Sequence, residues 1–246
     1  MTEQRAYKAI FFDLDGTLLP MDTTAFMASY FKALGAYLIR HGHEPAHILK
    51  VVGKASKDMM THDGTKTNEN VFWDGFCDYL HVTREKWEPI ISPFYTTSFN
   101  KLGKDVEPNT AMCNAVHTLK EKGYPLVLST MPMFPRIAVD YRVSWAGLST
   151  DMFEYVSTFE NSHATKPHLA YYQEILEATG FDPKDVLMVG NNTLEDGAIT
   201  KLGCDLFLIT DYLLTVPGGV NLESTKHGTS ADFEAFCSSL PHKSQD

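Results

Sequence analysis

At 246 residues, 43% apolar and 21% charged, the chain is long enough for one sizeable core with a smaller accessory unit, and its balance excludes a disordered protein. A net charge of −10, from 21 basic and 31 acidic residues, argues against broad nucleic-acid binding and against docking on an anionic membrane. No run reaches the roughly 20 apolar residues of a membrane span, and the polar N-terminal segment does not read as a signal peptide.

In chain order, residues 8–14 (KAIFFDL) read as a buried strand ending at an acidic, glycine-containing turn. The next stretch carries helical patterns at 23–40, 45–60, 68–80 and 83–102 and no strong strand run. Residues 110–122 predict a helix stopped by Gly123, followed by a strand at 125–130 and an amphipathic helix at 135–145. A weaker strand at 155–159 precedes a helix at 167–179 that opens with Pro167 and stops at Gly180. A strand at 186–190, a helix at 192–202 ending at Gly203 and a strand at 205–209 complete the pattern, and the mixed tail holds one short helix at 231–240.

Strands alternating with helices of this length predict an α/β fold with a parallel, doubly wound sheet. Residues 1–20 and 108–246 are expected to form the core domain, with 21–107 inserted as an all-helical cap. The four cysteines, Cys77, Cys113, Cys204 and Cys237, form no CxxC pair. Free thiols and a reducing, cytoplasmic setting follow.

Ligands of open α/β sheets bind beyond the carboxyl ends of the strands, so residues just past each apolar run are the candidates. The first run ends in Asp13-Leu14-Asp15-Gly16-Thr17. One carboxylate there can face a substrate as a nucleophile while the other takes part in proton transfer; an ordinary acidic turn is the alternative. The second run ends in Ser129-Thr130, where a hydroxyl can hold a phosphoryl oxygen or merely close a strand. Lys166 precedes Pro167 at a helix start, an unfavourable place for a cation unless it neutralises charge in a site. The segment Gly190-Asn191-Asn192-Thr193-Leu194-Glu195-Asp196-Gly197 offers oxygen-rich side chains suited to magnesium, or equally a helix cap built on Asn192 and Glu195.

Taken together, the four pieces resemble the haloacid dehalogenase-like hydrolases. DLDGTLLP resembles that family's first motif, STMPMFPR its second, ENSHATKPHLAYY its third and VGNNTLEDGAITKLG its fourth. The resemblance implies a Rossmann-like core and a Mg2+-dependent phosphatase acting on a small phosphorylated metabolite through an aspartyl-phosphate. It implies Asp13 as nucleophile, Asp15 as acid/base, Thr130 (with Ser129 as runner-up) as phosphoryl-binding hydroxyl, and Lys166 as the cation holding Asp13 and phosphate together. Magnesium would be held by Asp13, the Asp15 backbone carbonyl and Asn191, with Asp196 orienting Lys166 or a metal-bound water. A dehalogenase of the superfamily lacks an acid/base aspartate at the Asp15 position, so Asp15 points to phosphate esters.

Two departures stand out. Asn191 occupies a position that is usually aspartate, and Met131 one that is often asparagine. They leave room for a degenerate member that binds a phosphorylated ligand or a protein partner without turnover. A phosphomutase is compatible with the same motifs, and so is either a monomer or a homodimer.

Other residues invite less. His41, His43 and His47 lack the three or four converging ligands of a zinc site. His163 lies near enough to Lys166 in sequence to line the cleft. Phe72, Trp73, Phe76 and Tyr79 have the spacing of a packed helix face, and Arg136 that of a solvated helix start.

Overall fold

The computed structural model describes residues 7–243. Its first strand, β1 (Ala9–Phe12), is followed by four helices, α1 (Thr23–Arg40), α2 (Pro45–Met59), α3 (Asn68–Leu80) and α4 (Arg84–Thr97). Then come α5 (Thr110–Glu121), β2 (Leu126–Leu128), α6 (Arg136–Trp145), β3 (Tyr155–Val156), α7 (Leu169–Thr179), β4 (Val186–Gly190), β5 (Asp205–Ile209), β6 (Lys226–Gly228) and α8 (Ser230–Ser239). The six strands form one parallel sheet in the order β3-β2-β1-β4-β5-β6. Phe12 lies in register with Leu128 on one side and Val189 on the other.

Strand periodicity explains the layering. Ile10 and Phe12 of β1 join Met112, Val116, Val139, Val143 and Phe233 of α5, α6 and α8 on one face. Ala9 and Phe11 join Tyr171, Tyr172, Ile175 and Ile199 on the other. Alternate residues of a strand point to opposite faces, so an uninterrupted apolar run is what a sheet covered on both sides requires. The chain winds from β1 outward to β3, then returns to place β4 on the other side of β1. A crevice opens at such a reversal, beyond the carboxyl ends of β1 and β4.

Between β1 and α5, no described residue of the stretch 21–107 lies in a strand. Helices α1 to α4 and the residues just after α4 bury a second cluster, including Phe26, Tyr30, Leu38, Trp73, Phe76, Phe94 and Phe99, which Ala138 of α6 joins. Trp145 of α6 is packed against both this cluster and the sheet cluster, with the Phe99 ring stacked on it at 5.3 Å. Among the described residues no helix is long and apolar enough to cross a membrane.

Several boundaries differ from the sequence reading. Residues 192–202 do not form one helix: a turn leads into a 3-10 helix at Asp196–Leu202. The Asn192 side chain accepts from the N–H groups of Leu194 and Glu195, and such local bonds compete with α-helix. The helix expected from Pro167 starts at Leu169, after a cis Lys166–Pro167 peptide. Ser98 leaves helical geometry at the end of α4, so the 83–102 pattern becomes α4 and a 3-10 turn, Phe99–Lys101. Strand β6 gave no signal, being short, exposed and spelled Lys-His-Gly.

Candidate active site

Asp13 is the first residue past β1, and its N–H donates to the Val189 carbonyl of β4 at 2.9 Å, so the sheet itself fixes it at the reversal point. Lys166 arrives from the loop between β3 and α7. Its Nζ donates to Asp13 Oδ1 at 2.8 Å and to Asp196 Oδ1 at 2.6 Å. All three side chains are buried, Lys166 and Asp196 to 1% exposure and Asp13 to 7%. Burial alone would lower the Lys166 pKa, but Asp13 and Asp196 override it and hold the ammonium well above its ordinary value. Burial pushes the Asp13 carboxyl up to about 7; Lys166 opposes that shift, while Asp196 and Asp15 add to it. Two carboxyl groups share one cation, and the proton held on Asp13 is the counterpart of that shortage.

Asp196 is fully committed. Its second oxygen, Oδ2, accepts the backbone N–H groups of Asn191 and Asn192, each at 2.9 Å. It therefore orients Lys166 and the turn after β4. This packing is possible because residue 190 is glycine: a Cβ there would lie 2.2 Å from the Asp196 carboxylate.

Asn191 faces Asp13 across Thr17. The Thr17 hydroxyl lies 3.5 Å from Asp13 Oδ2 and 3.4 Å from Asn191 Oδ1. Asn191 Nδ2 donates to the Tyr212 carbonyl at 2.7 Å, which turns the amide oxygen toward Asp13. Gly16 sits against that amide with φ +81°, and a Cβ would meet Nδ2 at 2.2 Å. Among the described residues no cluster of three or more His, Cys, Asp and Glu is placed to hold a metal. The oxygens that meet here are of another kind, the Asp13 carboxylate and the Asn191 amide oxygen on either side of the Thr17 hydroxyl. An all-oxygen set of this kind fits a hard divalent cation such as magnesium.

Asp15 lies on the other side of the turn, and its side chain pairs with Arg142 of α6 through Oδ2 and Nη1. Arg142 is wholly buried, with its guanidinium carbon 4.7 Å from the Phe134 ring centre. The sequence reading missed it. The signal was present, since Ala138, Val139, Arg142 and Val143 make one buried stripe of α6.

At the end of β2, Ser129 and Thr130 are both fully buried but differ in their bonding. The Ser129 hydroxyl donates to the Phe12 carbonyl at 3.2 Å. The Thr130 hydroxyl has no partner, while its carbonyl accepts from Ser157 and Tyr171 at 2.9 and 2.7 Å. Thr130 is the one with a donor to spare. His163 does not turn to the cleft; its ring pairs with Glu174. Arg136 is exposed and pairs with Asp140 one turn along. Phe72, Trp73 and Phe76 do pack against the helical cluster, and they also line a cavity of about 460 Å³ with Tyr30, Tyr95 and Glu160. A second cavity of about 290 Å³ adjoins Asn191 and Tyr212 and reaches Met21 and Asp22.

Residues 10–209 match the haloacid dehalogenase-like hydrolase family. A pyrophosphatase PpaX from Bacillus velezensis is 25% identical over 193 residues, covering 78% of this chain and 77% of its own. Among solved structures, a 2-haloacid dehalogenase from Pseudomonas syringae pv. tomato superposes with a TM-score of 0.62 at 16% identity, covering 94% of this chain and 98% of its own. A phosphatase from Thermococcus onnurineus gives 0.58 at 16% identity over 96% and 100%. At such identities the structures speak for the fold alone, and the family match extends over most of the chain. This protein belongs to the haloacid dehalogenase-like hydrolases.

Proposed function

We propose that the chain is a magnesium-dependent phosphatase that hydrolyses a small phosphorylated metabolite through an aspartyl-phosphate on Asp13. The observation that carries the reading is the buried trio Asp13–Lys166–Asp196, a carboxylate held by a cation that a second carboxylate holds in turn. The pyrophosphatase name of the relatives supports phosphorus as the site of attack. The presence of Asp15 supports phosphate over halide as the leaving chemistry.

In this reading a carboxylate oxygen of Asp13 attacks phosphorus while Lys166 balances charge on nucleophile and phosphoryl group. The unpartnered Thr130 hydroxyl donates to a phosphoryl oxygen. Asp15 gives a proton to the departing oxygen and then takes one from the water that attacks the aspartyl-phosphate. Asp13, the Asp15 main-chain carbonyl and Asn191 would hold magnesium, which when bound supplies positive charge against the phosphoryl oxygens. Residues 21–107 act as the cap that excludes water, and the aromatic cavity beside α3 and α4 shapes the substrate's organic part. Free cysteines, two of them buried, suit a cytoplasmic setting.

The test is magnesium-dependent phosphate release from p-nitrophenyl phosphate and a panel of phosphate esters by the wild-type chain and by Asp13→Asn. Release that disappears in the variant supports the reading. Equal rates remove Asp13 as nucleophile, and silence across the panel favours a chain that binds a phosphorylated ligand without turning it over.

A further inference from the structure

Arg142 is out of character for its place. An arginine on a packed helix face gains its usual stability through paired hydrogen bonds, and a guanidinium meeting a carboxylate commonly makes two of them in parallel. Here the contact is a single one, Nη1 to Asp15 Oδ2, while Arg142 Nη2 and Asp15 Oδ1 are both buried and have no partner. Replacing a buried ion pair by apolar groups is often neutral or stabilising, so fold stability alone gives little reason for this one. The cation stands over Phe134 and is anchored through Nε to the Ala138 carbonyl at 3.4 Å, which fixes its direction.

We propose that Arg142 is a positioning residue that aims Asp15 at the leaving group and selects Oδ1 as the oxygen that carries the proton. The inference rests on the phosphatase reading given above. With Oδ2 tied to Nη1 as an acceptor, only Oδ1 is left to bind a proton. In the first step the Asp13–phosphorus bond forms and the bond from phosphorus to the leaving oxygen breaks. The electron pair stays on that oxygen, which takes the proton from Asp15 Oδ1. In the second step water bonds to phosphorus, its proton goes to Asp15 Oδ1, and the pair of the broken Asp13–phosphorus bond returns to the Asp13 carboxylate. Helix α6 begins directly after the segment that supplies Thr130, so one piece of chain sets both the phosphoryl contact and the proton's direction.

The experiment compares two substrates in the full-length chain with magnesium. In the first step glycerol phosphate loses an alkoxide and needs the proton, whereas p-nitrophenyl phosphate loses a stable phenolate and does not. Arg142→Met is expected to slow the first step, read as the burst of alcohol release from glycerol phosphate, by about 100-fold with KM little changed, and to slow the burst of p-nitrophenolate far less, whereas the second step, which uses the same Asp15 oxygen, slows equally with both esters. Arg142→Lys, which keeps a buried cation and guards against misfolding of the methionine variant, should show the same selective loss in weaker form. Equal losses in that first step on both esters would overturn the proposal, because a structural residue does not distinguish leaving groups. Should the wild type hydrolyse no ester of the panel, the phosphatase reading fails, and crystal structures of wild type and Arg142→Lys decide this point separately. An Asp15 carboxylate that turns away in the variant supports the aiming role, and one that stays in place refutes it.

Discussion

Lys166 and Asp13, 153 positions apart in the chain, meet at 2.8 Å with both side chains out of solvent. Asp196 completes the arrangement from the far side. Removing the ammonium leaves two buried carboxyl groups without the cation they share. Breaking a buried pair by deleting one partner typically costs about 3–5 kcal/mol. Lys166→Met is therefore expected to lose phosphate release and to unfold at markedly lower urea. An unchanged urea midpoint would mean that the trio is not the buried charge cluster described above.

Gly16 offers a prediction about the turn rather than the charges. Its φ of +81° is costly for any residue with a Cβ, and that Cβ would lie 2.2 Å from Asn191 Nδ2. The amide cannot simply swing aside, because it is bonded to the Tyr212 carbonyl. Gly16→Ala should cost roughly 1–3 kcal/mol in thermal unfolding, from strain plus one displaced buried hydrogen bond. Its loss of activity should exceed what the stability change explains, since the Asn191 oxygen moves with the amide.

Three parts of this candidate site were readable from the chain because each lies just beyond an apolar run. Asp13 and Asn191 sit immediately past β1 and β4, and Thr130 two residues past β2, and a parallel sheet brings its strand ends to one edge whatever the helices between them do. Lys166 was legible only as an oddly placed cation. Arg142 was not legible as a partner of Asp15: a charged residue in an amphipathic helix is usually solvated, and recognising a buried one means trusting the stripe of Ala138, Val139 and Val143 over the charge. The segment 192–202 was misread for a related reason. Helical spacing and a glycine stop were present, but the side chain of Asn192 and the pull of Asp196 on two backbone N–H groups favoured a turn. Spacing does not reveal where side-chain bonds will outbid the helix.

Asn191 in place of aspartate has consequences of opposite sign with and without metal. The amide donates to Tyr212, and a carboxylate at that position cannot. In magnesium-free buffer Asn191→Asp should lose about 1–3 kcal/mol through the orphaned carbonyl and a further negative charge near Asp13. With magnesium the added charge should tighten binding by roughly tenfold, since ligand charge tunes the affinity of such sites. Melting curves across a magnesium titration check both: the variant starts lower and gains more. Parallel curves for the two proteins would remove Asn191 from the metal site.

Alkaline pH should destabilise the protein earlier than its acidic composition suggests. Burial pushes the Cys237 thiol from 9.0 up to about 12, with Lys122 pulling weakly the other way and Glu234 adding to the rise. Burial likewise raises Tyr155 from 10.0 to about 12 and lifts Tyr171 and Tyr172 above their ordinary range. In each case the unfolded chain gives up its proton at a pH where the folded one still keeps it. Stability from these groups is thus complete below pH 9 and is lost as pH climbs toward 12, with Cys237 alone worth of order 4 kcal/mol at the upper end. Melting temperature should hold steady from pH 7 to 8.5 and then fall with a steepening slope. Cys237→Ala should flatten that slope while lowering the plateau, because the thiol packs in the sheet cluster beside Phe233 and Leu240. The same burial predicts that a thiol reagent at pH 8 labels Cys77 and Cys113 in the native protein, whereas Cys204 and Cys237 react only as it unfolds. Rapid native labelling at Cys237 would contradict the packing from which the alkaline transition is derived.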